Sequence, residues 1–203
     1  MTATMPSPVT LHGRAVRLVP LTLDHAPGLL AAGGGDEEIW RWRPSAPPAS
    51  QEAMRRHIAS LLERQAGGRT VPFAVVLRTT GEAIGSTCFH DVEGFDESVE
   101  IGSTWYGKAH WGTGVNAECK VLLLDHAFGP MAYTRVMLRT DVRNLRSRAA
   151  IERIGGTLEG VLRRQYRRRD GTWRDSAVYS ILDDEWPAHR ARLTGTPSPA
   201  EYA

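Results

Sequence analysis

The sequence has few cysteines and no long apolar run. Its 203 residues include two cysteines, Cys88 and Cys119, and neither has the paired spacing of a metal site or a redox motif. No run of about 18 apolar residues could span a bilayer, and the start, MTATMPSPV, lacks the positive residues and the apolar stretch of a signal peptide. These features predict a cytoplasmic protein with reduced thiols and no membrane partner.

Motifs for several kinds of chemistry are also missing. The sequence contains no G-x-S-x-G nucleophile motif and no H-E-x-x-H zinc motif. A P-loop requires G-x-x-x-x-G-K-S/T, but Lys120 lies well inside a predicted helix and is followed by Val121. We therefore expect no metal, no serine nucleophile and no P-loop nucleotide site.

The net charge of +2 is too small to predict a nucleic-acid or membrane partner. The charges are nevertheless unevenly distributed: the sequence has one acidic cluster and one arginine cluster, and both fit solvated hairpins. The acidic cluster could also attract a cationic substrate, and the arginines could contact RNA, a cofactor phosphate, a second copy in a homodimer, or only water. The acidic cluster is Asp91, Glu93, Asp96, Glu97 and Glu100, and the arginines are Arg163, Arg164, Arg167, Arg168 and Arg169.

Hydrophobic periodicity predicts one domain over residues 9–193, with disordered ends at 1–8 and 194–203. The order of elements is an antiparallel meander, a strand–helix–strand unit, a short helix, a hairpin and a last helix. Strands are predicted at 14–20, 73–78, 83–90, 98–105, 135–141, 158–169 and 173–181. Helices are predicted at 24–32, between Ser50 and Gly67, and at 115–128, 147–154 and 184–192.

A glycine-rich turn at residues 111–118, WGTGVNAE, opens the helix that follows the meander. Gly112 and Gly114 let the backbone approach an oxyanion, and the free N–H groups of the helix start point towards it along the helix dipole. The turn therefore predicts a phosphate or pyrophosphate site. The same pattern also serves as a plain tight turn.

The dinucleotide-binding fingerprint is one competing interpretation of this turn. Gly112, Gly114 and Ala117 satisfy G-x-G-x-x-G/A, and Asp141 ends the next strand, where a ribose-binding acid belongs. Two features count against it: residues 106–111 separate the turn from its strand, and the sequence shows no second βαβ half.

Four ordered stretches carry a family resemblance. Residues 111–116 align with the loop pattern Q/R-x-x-G-x-G/A, with Gly114 as its glycine, although Trp111 and Asn116 depart at the two ends. The other stretches are DVRNLRS at 141–147, AIERIG at 150–155 and DGTWRD at 170–175. Together they resemble the RimJ/RimL branch of the GNAT superfamily of N-acetyltransferases, over about residues 10–192.

This resemblance implies an α/β (α+β) fold: a central mixed, largely antiparallel sheet with two splayed parallel strands and helices on both faces. The splayed strands would be residues 98–105 and 135–141, with acetyl-CoA between them. Its pantetheine arm would run along Ile101, Gly102 and Ser103, and Asn144 would bind it from the other side or only cap a helix. Its pyrophosphate would rest on Gly112, Thr113, Gly114, Val115, Asn116 and Ala117.

The implied reaction is direct attack of a primary amine on the thioester in a ternary complex, without an acyl-enzyme. Glu100 is the predicted general base, because it alternates with Val99 and Ile101 and faces the other side of the sheet. Asp91, Glu93 or His90 could serve instead through water, and Glu100 could otherwise be an exposed strand residue that pairs with an arginine. Backbone N–H groups near 101–103 would stabilise the oxyanion.

The leaving thiolate needs a proton donor. Ser147 is predicted in that role, since the usual tyrosine is missing from residues 144–156, but Ser147 could equally be a capping residue.

The acceptor would be a protein N-terminal α-amine or a small-molecule amine. Trp40 and Trp42 would form a wall of its pocket or pack in the core. A module that binds coenzyme A or a partner without catalysis is the alternative function, and a dinucleotide-dependent oxidoreductase is a remote one.

Overall fold

One eight-stranded sheet with helices on both faces forms the fold. This computed structural model describes residues 3–68 and 70–195. The strands are β1 (Leu11–His12), β2 (Val16–Pro20), β3 (Val71–Leu77), β4 (Ala83–Glu93), β5 (Ser98–Tyr106), β6 (Arg135–Asp141), β7 (Thr157–Arg167) and β8 (Trp173–Leu182). The helices are α1 (Ala26–Gly33), α2 (Glu37–Trp40), α3 (Gln51–Ala66), α4 (Val115–Phe128), α5 (Leu145–Arg153) and α6 (Trp186–Thr194), with 3₁₀ turns at Leu23–His25 and Lys108–His110.

The strand order is β1-β2-β3-β4-β5-β6-β8-β7. Strands β5 and β6 pair in parallel, and the other neighbours in the described sheet pair antiparallel. The mixed, largely antiparallel sheet predicted for the GNAT fold is therefore confirmed. In the described residues no helix is long and apolar enough to cross a membrane.

Side chains of the central strands point alternately to the two faces of the sheet, and a separate hydrophobic core lies on each face. In β3, Phe73 and Val75 join the core on the α4 and α6 side, whereas Ala74 and Val76 join the core beneath α1 and α3. Strands that are buried on both faces read as continuous apolar runs, which explains the uninterrupted sequence of β3. The sheet therefore presents two different faces, and the side chains that face α1 to α3 surround the candidate site.

Two local signals define the ends of the helices on that face. The Ser50 Oγ accepts a hydrogen bond from the N–H of Ala53 at 3.1 Å and caps α3 as predicted. The one-turn helix α2 lies where a loop was expected, because Asp36 Oδ1 accepts from the N–H groups of Glu38 and Ile39 at 2.9 and 3.3 Å. An aspartate cap before two acidic residues was a sequence signal for this helix.

The structure describes only part of the two end segments that were predicted to be disordered. Residues 1–2 and 196–203 lie outside the described part of the chain. The N–H of Thr4 donates to the carbonyl of Met131 at 2.9 Å, and Ala3 packs against the first core. Disorder of residues 1–8 and 194–203 stays a prediction.

Candidate active site

The glycine-rich turn leaves its backbone N–H groups unpaired. Gly114 precedes α4 with a φ of +90°, and Gly112 has a φ of +75°. The N–H of Glu118 donates to the carbonyl of Gly114 at 3.0 Å, but in the described chain the N–H groups of residues 112–117 have no backbone acceptor. Free N–H groups at the positive end of a helix suit a phosphate.

The space above this turn is open and positively charged. A Cβ built on Gly112 or Gly114 would meet no atom within 4 Å, so the glycines are there for their backbone conformation, which is costly for other residues. Arg146 of α5 reaches over the turn, with its guanidinium carbon 3.5 Å from the centre of the Trp111 ring. The residues present therefore fit a pyrophosphate group.

A fork between β5 and β6 opens beside this turn. The two strands pair in parallel only from Ser98 and Arg135 to Glu100 and Met137. Farther along, β5 carries two residues opposite one residue of β4, and Ser103 in this bulge has a φ of +50°. A bulge bends its strand, so β5 turns away from β6. The prediction of two splayed parallel strands is confirmed.

Glu100 lies at the apex of the fork, on the face that carries α1 to α3. Its Oε2 accepts a hydrogen bond from Arg139 Nε at 2.6 Å, and the same guanidinium binds Asp91. Burial raises the pKa of the Glu100 carboxyl, and the Arg139 hydrogen bond opposes that shift. A Cβ on Gly102 would lie 3.1 Å from both Glu100 Oε1 and His90 Cδ2, so this glycine leaves room for the two side chains.

His90 contacts the bulge and is poorly suited to act as a base. Its Nε2 lies 2.7 Å from Ser103 Oγ, in a hydrogen bond whose donor depends on the tautomer. Burial lowers the pKa of His90 to about 4, so the ring is neutral and weakly basic at neutral pH. Of the predicted bases, Glu100 therefore has the environment that suits proton abstraction.

Asn144 and Ser147 lie on the opposite wall of the cleft. The Asn144 Oδ1 accepts the N–H of Ser147 at 3.1 Å and caps α5. The Ser147 hydroxyl is half-buried and has no hydrogen-bond partner among residues 3–68 and 70–195. Contact of Asn144 with pantetheine and proton donation by Ser147 stay predictions.

Comparison with known proteins identifies the family that has this arrangement. Residues 15–157 match the family described as Acetyltransferase (GNAT) domain. The chain belongs to the GNAT acetyltransferase family. It is an acyltransferase, as its sequence predicted.

Relatives of this GNAT chain cover nearly its whole length. The "Uncharacterized N-acetyltransferase p20" of Bacillus licheniformis is 24% identical over 177 residues, 87% of this chain and 98% of the relative. A GCN5-related N-acetyltransferase from Brucella melitensis has a TM-score of 0.89 at 26% identity, covering 98% of this chain and 90% of that one. Mycobacterium smegmatis RimJ, solved with CoA-disulfide, has a TM-score of 0.78 at 26% identity, covering 93% and 96%. The last neighbour agrees with the predicted RimJ/RimL-like branch.

Asp141 shows why the dinucleotide interpretation is wrong for this GNAT chain. Its carboxylate, which is 1% exposed, accepts from Arg168 Nε at 2.6 Å and Nη2 at 3.0 Å, and also from the N–H of Arg143. A carboxylate that is buried in these bonds is not available to a ribose. Asp141 instead ties the end of β6 to the β7–β8 hairpin.

Of the two roles predicted for Trp40 and Trp42, Trp40 has core packing and not the pocket wall, whereas Trp42 lines a cavity. Trp40 is 0% exposed, donates from Nε1 to the Gly33 carbonyl at 2.8 Å and packs on Trp105 with ring centres 5.4 Å apart. It belongs to the core and cannot line an acceptor pocket, because helix α2 turns it inward. Trp42 lines a cavity of about 220 Å³ between this segment and the β7–β8 hairpin.

Three basic side chains near the cleft were missed at the sequence level. Arg146 reaches the glycine turn, Arg43 lines the cavity beside Trp42, and Lys120 is buried with its Nζ 2.8 Å from Thr104 Oγ1. Arg146 lies within the stretch 141–147 that carried the family resemblance, which was a signal for it. In the described part of the chain no cluster of three or more His, Cys, Asp or Glu could hold a metal ion.

Proposed function

We propose that this GNAT enzyme transfers the acetyl group of acetyl-CoA to a primary amine by direct attack in a ternary complex. The observation that carries the proposal is the fork between β5 and β6, which opens beside the unpaired N–H groups of residues 112–117 with Glu100 at its apex. The similarity to a RimJ solved with CoA-disulfide supports coenzyme A as the carrier.

The walls of the fork suggest how the cosubstrate is held. Residues 112–117 and Arg146 would bind the pyrophosphate, and the backbone of residues 101–103 with Asn144 would line the pantetheine arm. Acetyl-CoA supplies a thioester, whose carbonyl carbon is the electrophile. The protein contributes orientation and charge stabilisation, which is enough for attack by a neutral amine.

The proton balance gives each candidate residue a defined task. The amine nitrogen bonds to the acyl carbon while the carbon–sulfur bond breaks, so the nitrogen loses one proton and the sulfur gains one. Glu100 Oε1 would accept the first proton, directly or through water, because Arg139 binds only Oε2. The Ser147 hydroxyl would pass the second to the sulfur while taking a proton from water, and Glu100 would then release its proton to the solvent.

The strength of this base favours an α-amine as the acceptor. A lysine amine with a pKa near 10.4 is about 0.04% neutral at pH 7, whereas an α-amine near 7.8 is about 14% neutral. The difference corresponds to about 3.5 kcal/mol of deprotonation free energy. Although burial raises the pKa of Glu100, a carboxylate is a much weaker base than a lysine amine, so a protein N-terminus or a small α-amine fits better than a lysine side chain.

The proposal is tested by binding and turnover in the same preparation. Acetyl-CoA is titrated by calorimetry, and thiol release is followed with peptides that have free N-termini, with free amino acids and with polyamines. Saturable binding with acceptor-dependent thiol release supports the transferase. Saturable binding without release above background for any amine would identify a coenzyme A-binding module instead, and no binding at millimolar cosubstrate would refute the proposal.

The role of Glu100 has its own variant. Glu100→Gln should keep acetyl-CoA affinity and lower kcat about 10²–10⁴-fold, the usual contribution of a general base, with loss of the acidic limb of the kcat/KM profile. Glu159→Gln is the matched control, because Glu159 is another arginine-bound glutamate of the sheet, paired with Arg135 at 2.7 Å. Equal rates for the two variants would exclude Glu100 as the base.

A further inference from the structure

A small cavity rich in arginine lies on the same face of the sheet as Glu100. Its volume is about 220 Å³, below the ~300–1,000 Å³ of pockets for drug-sized ligands. There is room for one small chemical group and not for a cosubstrate. Six arginines line it: Arg41, Arg43, Arg167, Arg168, Arg169 and Arg174.

Only some of this positive charge is neutralised by the protein itself. Arg168 binds Asp141 at 2.6 Å, and Arg169 binds Glu37 at 2.7 Å. Over the described ranges of the chain, the other four arginines make no ion pair with a carboxylate; they are Arg41, Arg43, Arg167 and Arg174. An excess of guanidinium groups around a small volume favours an anion there.

Arg43 gives the clearest indication of a missing partner. Its Nε is buried and has no hydrogen-bond partner among the described residues, and its guanidinium carbon lies 5.0 Å from the centre of the Trp40 ring. Burial lowers the pKa of this guanidinium to about 10, so it is still charged at neutral pH. A desolvated charge without a counter-ion is costly, and an anionic ligand in the cavity would supply the opposite charge.

The cavity lies next to the candidate base. Asp141 of β6 lines the cavity beside Arg174. Arg139 lies two residues before Asp141 on the same face of that strand, and its Nε donates to Glu100 Oε2 at 2.6 Å. A group bound by Arg43 and Arg174 would therefore be near the place where Glu100 meets the amine.

We propose that the amine acceptor carries a carboxylate close to its reacting amine, and that the pocket of Arg43 and Arg174 binds this carboxylate. The inference rests on the proposed function, since it assigns the acceptor of that reaction. The planar guanidinium fork matches a carboxylate with two parallel hydrogen bonds. The carboxylate could belong to a free amino acid or to an acidic residue at a peptide N-terminus.

Matched acceptor pairs test the inference in the wild-type enzyme. One pair is free glutamate and its diamide, glutaminamide, compared at equal concentrations of neutral α-amine because amidation lowers the pKa of that amine. This pair tests whether the carboxylate belongs to a free amino acid. The other pair is two C-terminally amidated tripeptides, Ser-Asp-Ala and Ser-Asn-Ala, which tests whether the carboxylate belongs to a peptide side chain. In at least one pair the carboxylate member should have a kcat/KM at least tenfold higher than its neutral partner.

Variants connect the preference to the pocket. Arg43→Met and Arg174→Met should each reduce the carboxylate preference at least fivefold through the acceptor KM, while the KM for acetyl-CoA stays unchanged. Arg43→Lys should recover part of it. Arg56→Met is the control, because Arg56 is an exposed arginine of α3 outside the cavity.

The outcomes separate this inference from the proposed function. Acceptor turnover with equal kcat/KM in both pairs, or with a preference for the neutral members, overturns the inference and leaves the transferase standing. An unchanged preference in folded Arg43→Met and Arg174→Met also overturns it. No thiol release with any amine overturns the proposed function, and the acceptor assignment with it.

Discussion

Replacing Lys120 by methionine should stabilise the fold at neutral pH. Lys120 is 5% exposed, and its ammonium donates to Thr104 Oγ1 at 2.8 Å without an ion pair to any described carboxylate. Burial lowers the pKa of this ammonium from 10.5 to about 8, which corresponds to about 3 kcal/mol of destabilisation at neutral pH. Methionine has a similar shape, and Thr104 keeps its 2.8 Å hydrogen bond to Thr87. With the lost lysine hydrogen bond subtracted, about 1 kcal/mol, the expected gain is about 2 kcal/mol.

The pH dependence of this gain has a definite sign. In the unfolded chain Lys120 titrates near 10.4, and in the fold near 8. Between these values the unfolded chain binds more protons than the fold, so the wild type gains stability as the pH rises. The methionine variant lacks this titration, and its advantage should therefore shrink from pH 7 towards pH 10. Burial raises the pKa of the Cys88 and Cys119 thiols to about 12, so both proteins lose stability as these thiols ionise in the unfolded chain. This loss is common to the wild type and the variant, and it cancels in the difference between them.

Urea unfolding followed by circular dichroism from pH 7 to pH 10 measures the effect. The control is Lys108→Met, at the only other lysine of the sequence. Hydrogen bonds to Glu38 and Asp36 raise the pKa of Lys108, so its removal should not stabilise the fold at any of these pH values. A Lys120→Met protein that is less stable than wild type at pH 7, or whose advantage does not depend on pH, would refute the reasoning.

Three further predictions concern the cleft and its edges. Gly114→Ala should cost about 1–2 kcal/mol of stability, because a left-handed alanine is strained. It should also weaken coenzyme A binding about tenfold by calorimetry, because a turn that relaxes this strain moves its N–H groups away from the pyrophosphate. Gly171→Ala, at a φ of +80° in the hairpin turn, should cost the same stability and leave binding unchanged. Arg146→Met should weaken coenzyme A binding roughly tenfold at low salt, with a smaller effect at high salt. Asp141→Asn should destabilise the fold by about 3 kcal/mol in urea unfolding, since it leaves Arg168 without its partner. Burial by itself raises the pKa of Asp141, but the Arg168 hydrogen bond brings it below the usual value, so this deficit should shrink as the pH falls below about 4.

The regular elements were predictable where local signals agreed with one another. Helix α4 and strand β6 have the bounds that periodicity predicted, Val115–Phe128 and Arg135–Asp141. The glycine before α4 can take the positive φ that begins the helix, and Gly129 ends it. The splayed strands followed from the family resemblance and are confirmed by the short parallel pairing of β5 and β6.

The bulge in β5 could not be predicted in the same way. It inserts one residue, so Ile101 faces the α4 side while Trp105, four residues later, faces the α1 and α3 side. A shift of one residue turns every later side chain to the other face. The residue that adopts the positive φ is Ser103 and not a glycine, and therefore the sequence carries no local signal for this reversal.

Whether the acceptor site attracts an anion or a cation depends on its unpaired charges and not on charge clusters in the sequence. The acidic cluster at residues 91–100 suggested a cationic acceptor, yet Asp91 and Glu100 share the guanidinium of Arg139. The arginine-rich hairpin looked like a solvated surface, but Arg167, Arg168 and Arg169 line a cavity together with arginines from two other segments. Because a paired charge has a much weaker field beyond its partner, the arginines without a carboxylate determine which substrate is attracted. The test is to compare acceptors that differ only in a carboxylate. A higher kcat/KM for the acceptor without the carboxylate would mean that this field does not act on the acceptor.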